Sequence, residues 1–140
     1  MRQILLFATL AASLALLSGC ALSKTKKDTA EDMTGKAAYH KISAEEAYEM
    51  MASQEVVVVD VRTREEYDGG HIENAVLVPN ESIGSEIPEA LPDKEATLLV
   101  YCRSGRRSKD AAQKLLKLGY QSVYDFGGVI DWPYELVKEE

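Results

Sequence analysis

Apolar residues come in short runs separated by amphipathic stretches, and the two patterns alternate along most of the chain. Ser43-Ala44-Glu45-Glu46 has capping-box spacing and predicts a helix to about Ser53, with Ala47, Met50 and Met51 on its apolar side. Val56-Val57-Val58-Val59 is an unbroken β-branched run, as expected of a strand buried on both faces of a parallel sheet. Thr63 to Glu66 repeats the capping-box spacing and opens a short helical turn, closed by Asp68-Gly69-Gly70. Ala75 to Val78 predicts a second strand, stopped by Pro79, and residues 80–93 predict an irregular segment with one helical turn. Ala96 to Tyr101 reads as a third core strand. Ala111, Ala112, Leu115 and Leu118 recur at helical spacing, giving a helix from about Arg106 to Leu118 that ends at Gly119. Ser122 to Tyr124 predicts a fourth strand, and Gly127-Gly128 a turn into a last helix holding Trp132 and Leu136. Strands alternating with helices predict one α/β domain built on a parallel sheet.

The beginning of the chain departs from this pattern. Arg2 precedes an apolar run, Ile4 to Leu17. That run is shorter than the roughly 20 residues a membrane-crossing helix needs, and it suits the hydrophobic part of a signal peptide. Leu17-Ser18-Gly19-Cys20 resembles a bacterial lipobox, which implies cleavage before Cys20 and lipidation of that cysteine. An ordinary secretory signal is the alternative. The expected organisation is a signal peptide over 1–19, a lipid-anchored flexible tether over 20–39 and a folded domain over 40–140. Such a protein sits in the cell envelope, held to a membrane and facing away from the cytoplasm. Residues 1–39 carry a net charge of +2 and the whole chain −7, which leaves the domain at −9. A domain this acidic is a poor binder of nucleic acid.

Against that acidic background Tyr101-Cys102-Arg103-Ser104-Gly105-Arg106-Arg107-Ser108 stands out as a local anion trap. Cys102 follows an apolar strand and precedes a turn and a helix. Backbone N–H groups of the turn and the positive end of the helix would then face its sulfur, a field that favours thiolate over thiol. Gly105 lets the turn curl without a Cβ clash. With Cys20 lipidated, Cys102 is the one remaining thiol, and a thiol left free in an oxidising compartment points to reactivity. A strand end that opens onto a helix N-terminus is expected at the surface of the sheet.

From about His40 onward the chain resembles a single-domain rhodanese, or thiosulfate sulfurtransferase. The resemblance rests on ordered elements: Asp60-Val61-Arg62, Glu65-Glu66-Tyr67, Gly70-His71-Ile72, Asn74-Ala75 leading to Pro79, the Cys102 to Ser108 loop, and Gly127-Gly128 before Trp132. It implies an α/β fold, a five-stranded parallel sheet flanked by helices, with a first strand near Tyr39 to Ile42. It implies that Cys102 attacks the outer sulfur of a small anionic donor such as thiosulfate and becomes a persulfide, which a thiol or cyanide then discharges. It implies no metal and no cofactor. Arg103 and Arg106 would attract the donor, and Ser104, Gly105 and Ser108 would line the loop, with Ser108 more suited to a helix cap. Arg107 has two roles open to it: facing the donor, or folding back under the loop to pair with a carboxylate. Asp60, Arg62, Glu66 and His71 read as supporting residues, with Glu66 as the partner of Arg62 and His71 as a hydrogen-bonded structural histidine.

Two other functions use similar parts. Phosphatases and arsenate reductases also carry a cysteine in an anion-binding loop, but their pattern puts one more residue between cysteine and arginine. Here four residues separate Cys102 from Arg107, and Ser108 stands where that arginine would be. Rhodanese-like binding modules can lack the cysteine, which this chain keeps. A persulfide carrier or redox relay is compatible with the same loop.

Overall fold

A computed structural model of the protein describes residues 37–138. The leader, Cys20 and most of the expected tether therefore lie outside the described residues. Five parallel strands form the sheet: β1 (Ala38–Lys41), β2 (Val57–Asp60), β3 (Val76–Leu77), β4 (Thr97–Cys102) and β5 (Ser122–Gly128), in the order β1-β5-β4-β2-β3. The first strand lies where the resemblance places it and begins two residues inside the segment expected as tether. Among the described residues three α-helices accompany the sheet: α1 (Ala44–Ser53), α2 (Arg64–Asp68) and α3 (Arg106–Lys117). Both predicted capping boxes form, at Ser43 and Thr63. Among the described residues no helix is long and apolar enough to cross a membrane.

The central strand β4 has apolar side chains on both faces, as its unbroken apolar run requires. Leu98 and Val100 point into one core with Val59, Ala111, Ala112 and Leu115, beneath α3. Leu99 and Tyr101 point into the other with Ala47, Val58 and Phe126, beneath α1. Each fully buried aliphatic side chain of this kind contributes on the order of 2 kcal/mol of transfer free energy. The irregular segment contains its one helical turn, a 3-10 turn at Asn80–Ser82.

The last predicted helix does not form. Gly127 and Gly128 are the final residues of β5, which runs well past Tyr124. A 3-10 turn follows at Val129–Asp131, and Val137 then pairs antiparallel with His71. Pro133 supplies the reason: the residue before a proline is driven to extended backbone, and Trp132 has φ −77 and ψ 114. Trp132 still packs against the core, 5.6 Å from the Phe126 ring.

Two features bring the strand ends together. Between Val100 and Tyr101 the register of β4 against β5 shifts, so that Val100 faces Asp125 while Tyr101 faces Gly127. The extra residue, Phe126, is a bulge, which bends β5 and re-aims the residues after it. The second feature is a buried polar cluster. Asp60 accepts the Arg62 Nε–H, shared between its two oxygens at 3.0 Å each, and Nη2 at 2.6 Å, and the Tyr101 hydroxyl donates to it at 2.6 Å. Arg62 Nη2 also donates to the Gly70 carbonyl, and Ile72 N–H donates to the Tyr101 oxygen. Burial, followed by the charge of Asp60, pushes the Tyr101 hydroxyl well above its ordinary pKa, so it remains a donor. This cluster locks the end of β2 to the end of β4, one residue before Cys102.

Candidate active site

Cys102 is the last residue of β4 and Arg106 the first of α3, so only Arg103, Ser104 and Gly105 lie between them. So short a link turns only if one residue takes a left-handed backbone, and Gly105 does so at φ 97. Its N–H then points back at the Cys102 sulfur, 3.0 Å away. Burial raises the thiol pKa. The N–H groups of Ser108, Gly105 and Ser104 outweigh it and hold Cys102 below the ordinary thiol value. The Ser108 hydroxyl also faces this region, but it has one proton and three oxygen acceptors: Asp125 at 2.7 Å, Gly105 at 3.1 Å and Gly127 at 3.3 Å. The Asp125 carboxylate is the nearest of the three and accepts the hydroxyl's hydrogen bond, which leaves the backbone amides to act on the sulfur.

The strand end is at the rim of the sheet, yet the sulfur is not exposed. Cys102 is 1% accessible and packs with the core beneath α3. The surface position expected of the strand end is corrected by the loop, which folds back over it. The other wall of the cradle is the end of β5. Cys102 pairs with Gly128, and Ile130 N–H donates to the Arg103 carbonyl at 3.2 Å. A Cβ on Gly128 would lie 2.6 Å from Ser104 Cα and would overlap the Arg103 carbonyl, so the loop rests directly on that glycine.

The arginines separate into two kinds. Arg107 folds back and meets Glu66 in a two-point pair, Nη1 to Oε2 at 2.7 Å and Nη2 to Oε1 at 2.8 Å. Of the two roles open to it, pairing is the one seen. Glu66 therefore partners Arg107 and not Arg62, whose carboxylate is Asp60. The reason is reach: Arg62 is consumed by the buried cluster, while α2 presents Glu66 to the first turn of α3. Arg103 and Arg106 are exposed and have no ion-pair partner among the described residues. Ser108 is not the cap of α3. Gly105 holds that position, and Ser108 is buried three residues further on. His71 stacks on Tyr67 at 3.6 Å, its Nδ1 lies 3.0 Å from the Tyr67 carbonyl, and its backbone pairs with Val137. That is a structural role.

The two-point pair holds the Glu66 carboxyl at about 2, down from the ordinary 4.5, through the Arg107 hydrogen bonds first. A depressed carboxyl stabilises the fold fully above its unfolded value, and the contribution is lost as pH falls toward the folded one. Glu66→Gln is expected to lower stability at neutral pH, with the difference from wild type closing between pH 4.5 and about 2. Urea melts across that range measure it. A difference independent of pH would contradict the pairing.

Two contributors are not among the residues singled out from the sequence. Asp125 is buried in β5 and bonds across to β1 and the loop. Tyr101 contributes its hydroxyl to Asp60. A carboxylate between Tyr124 and Phe126 is unusual in a strand, and that oddity was the available clue to Asp125.

The comparisons with known proteins agree with this architecture. The rhodanese-like domain family matches residues 43–133. The chain belongs to that family. It is similar to a rhodanese from E. coli at 36% identity, with TM-score 0.54, covering 59% of this chain and 98% of that one. It is similar to a thiosulfate sulfurtransferase from Pseudomonas aeruginosa at 27% identity, with TM-score 0.63, covering 73% of this chain and 21% of that one. A curated relative, tRNA uridine(34) hydroxylase of Yersinia pestis, is 33% identical over 98 residues. The match covers 66% of this chain, which spans only 28% of that relative.

Proposed function

We propose that this rhodanese-family protein transfers sulfane sulfur through a persulfide on Cys102. The observation that carries the reading is the cradle: one sulfur at a strand end, with Gly105 N–H 3.0 Å away and the first turn of α3 beside it. The Cys102 thiolate attacks the outer sulfur of thiosulfate. A sulfur–sulfur bond forms to the enzyme as the one in thiosulfate breaks, and sulfite leaves with the electron pair. Cyanide or a thiolate then attacks the outer sulfur and releases Cys102 as thiolate. The loop amides stabilise the anionic sulfur at both stages. Arg103 and Arg106 draw in the dianionic donor. The buried sulfur favours a donor that presents a single outer atom. No step requires a metal or cofactor, and a nucleic-acid substrate finds little support in a domain of charge −9.

The spacing also separates this reading from phosphoryl transfer. A phosphate ester presents three peripheral oxygens, and an arginine must help surround them. Here Arg107 is committed to Glu66. The protein is expected to form thiocyanate from thiosulfate and cyanide and to leave aryl phosphates intact. Aryl phosphate turnover with no thiocyanate would favour the phosphatase reading.

Leu17-Ser18-Gly19-Cys20 supports a proposal about location. We propose that lipid on Cys20 holds the domain to a membrane on its outer side. Acyl chains contribute about 0.8 kcal/mol per buried CH₂, and two or more give stable attachment. Cys20→Ala should move the full chain from the membrane fraction to the soluble one. Equal membrane retention of variant and wild type would contradict lipid anchoring.

A further inference from the structure

We infer that Asp125 is a positioning residue for the sulfur-transfer loop, setting both walls of the Cys102 cradle from beneath. This rests on the sulfurtransferase reading. Asp125 is 1% accessible and touches no exposed arginine of the loop. Its Oδ1 accepts from the Ser108 hydroxyl at 2.7 Å and from the Gly127 N–H at 2.9 Å. Those two donors belong to opposite walls. Ser108 lies in the first turn of α3, whose N–H groups face the sulfur. Gly127 precedes the glycine on which Arg103 and Ser104 rest, and a Cβ on Gly105 would sit 3.5 Å from Gly127 Cα. One oxygen atom therefore fixes the spacing between helix start and glycine ledge, and that spacing sets the width of the ring around the sulfur.

The carboxylate is itself held from β1. The Tyr39 hydroxyl donates to Oδ2 at 2.8 Å, and Lys41 Nζ lies 3.4 Å from Oδ1. The edge strand thus supplies a donor and a neighbouring cation, so the buried carboxylate is fully partnered. The Phe126 bulge lets the arrangement form. Without that extra residue Gly127 would fall out of register with Tyr101 and its N–H would not turn back to Asp125. Asp125 meets no reacting atom. It acts through Ser108 and Gly127.

The test uses Asp125→Ala and Asp125→Asn in the full chain, with folding checked by circular dichroism. Two readouts are taken: the single-turnover rate of persulfide formation with thiosulfate, and the pH dependence of Cys102 alkylation by iodoacetamide. Misplacement of cradle donors by about an ångström lowers such rates by about 10²-fold, the loss expected for Asp125→Ala with thiosulfate KM within about threefold of wild type. The isosteric Asn keeps an acceptor toward Ser108 and Gly127 and should recover most of the rate, leaving a deficit of about threefold to tenfold. The midpoint of alkylation should rise in Asp125→Ala toward that of an ordinary thiol, because the amides lose their aim. A folded Asp125→Ala with wild-type rate and midpoint would overturn the inference. If Asp125→Ala does not fold, a wild-type rate in Asp125→Asn overturns it. Alkylation needs no sulfur transfer, so a wild type that forms no persulfide sinks the sulfurtransferase reading, while the midpoint shift still decides the role of Asp125.

Discussion

Replacing Cys102 by serine is expected to abolish sulfur transfer while the domain stays folded. The hydroxyl is nearly the size of the thiol and can accept the Gly105 N–H that now meets the sulfur at 3.0 Å. Placing a hydroxyl where the sulfur now packs against the core should cost about 1–3 kcal/mol of stability. Chemistry is affected differently. The loop amides favour a thiolate, but they cannot bring a serine hydroxyl into the ionised range at neutral pH, and an alkoxide forms no persulfide. Removal of an essential nucleophile lowers turnover by about 10³-fold or more. Thiocyanate formation on the folded variant measures it, and activity near wild type would remove Cys102 from the reaction.

Gly128→Ala is expected to be nearly as severe, through geometry and with no change at the sulfur itself. A methyl there would lie 2.6 Å from Ser104 Cα and would overlap the Arg103 carbonyl, which are backbone atoms that cannot rotate away. The loop must lift, and Gly105 and the first turn of α3 must move with it. Forced overpacking of this kind costs about 1–3 kcal/mol in stability. The same displacement carries the donors off the sulfur, and activity should fall by about 10²-fold. Gly84→Ala, at an open position where a Cβ meets nothing within 4 Å, is the matched control and should behave as wild type. Wild-type turnover in Gly128→Ala would mean that the cradle tolerates movement and that its geometry does not control the chemistry.

Much of this arrangement was legible in local pattern because its determinants are local. The capping boxes at Ser43 and Thr63 form as spacing predicts, since each needs residues only three apart. The valine run and the apolar run before Cys102 became β2 and β4 because nothing but a buried sheet accommodates them. The apolar side of α3 likewise fixed its facing on the core, with Leu118 only partly buried. What sequence could not supply was partnership over distance. Glu66 and Arg107 are 41 residues apart in sequence and Tyr101 and Asp60 also 41, and no local spacing chooses Arg107 over Arg62 as the partner of Glu66. Asp125 and two glycines weaken the strand signal past Tyr124, although the pairing of β5 with both neighbours outweighs their poor propensity. The last helix fails at Pro133, a breaker that follows Trp132 directly and drives it to extended backbone.

The proposed reaction requires Cys102 to carry sulfur as a covalent persulfide. Intact mass of the folded domain, taken before and after thiosulfate and again after cyanide, tests it most directly. One added sulfur atom is expected after thiosulfate, located on the peptide holding Cys102, with a return to the starting mass after cyanide. An unchanged mass after thiosulfate, or an added sulfur that persists in Cys102→Ser, would contradict it.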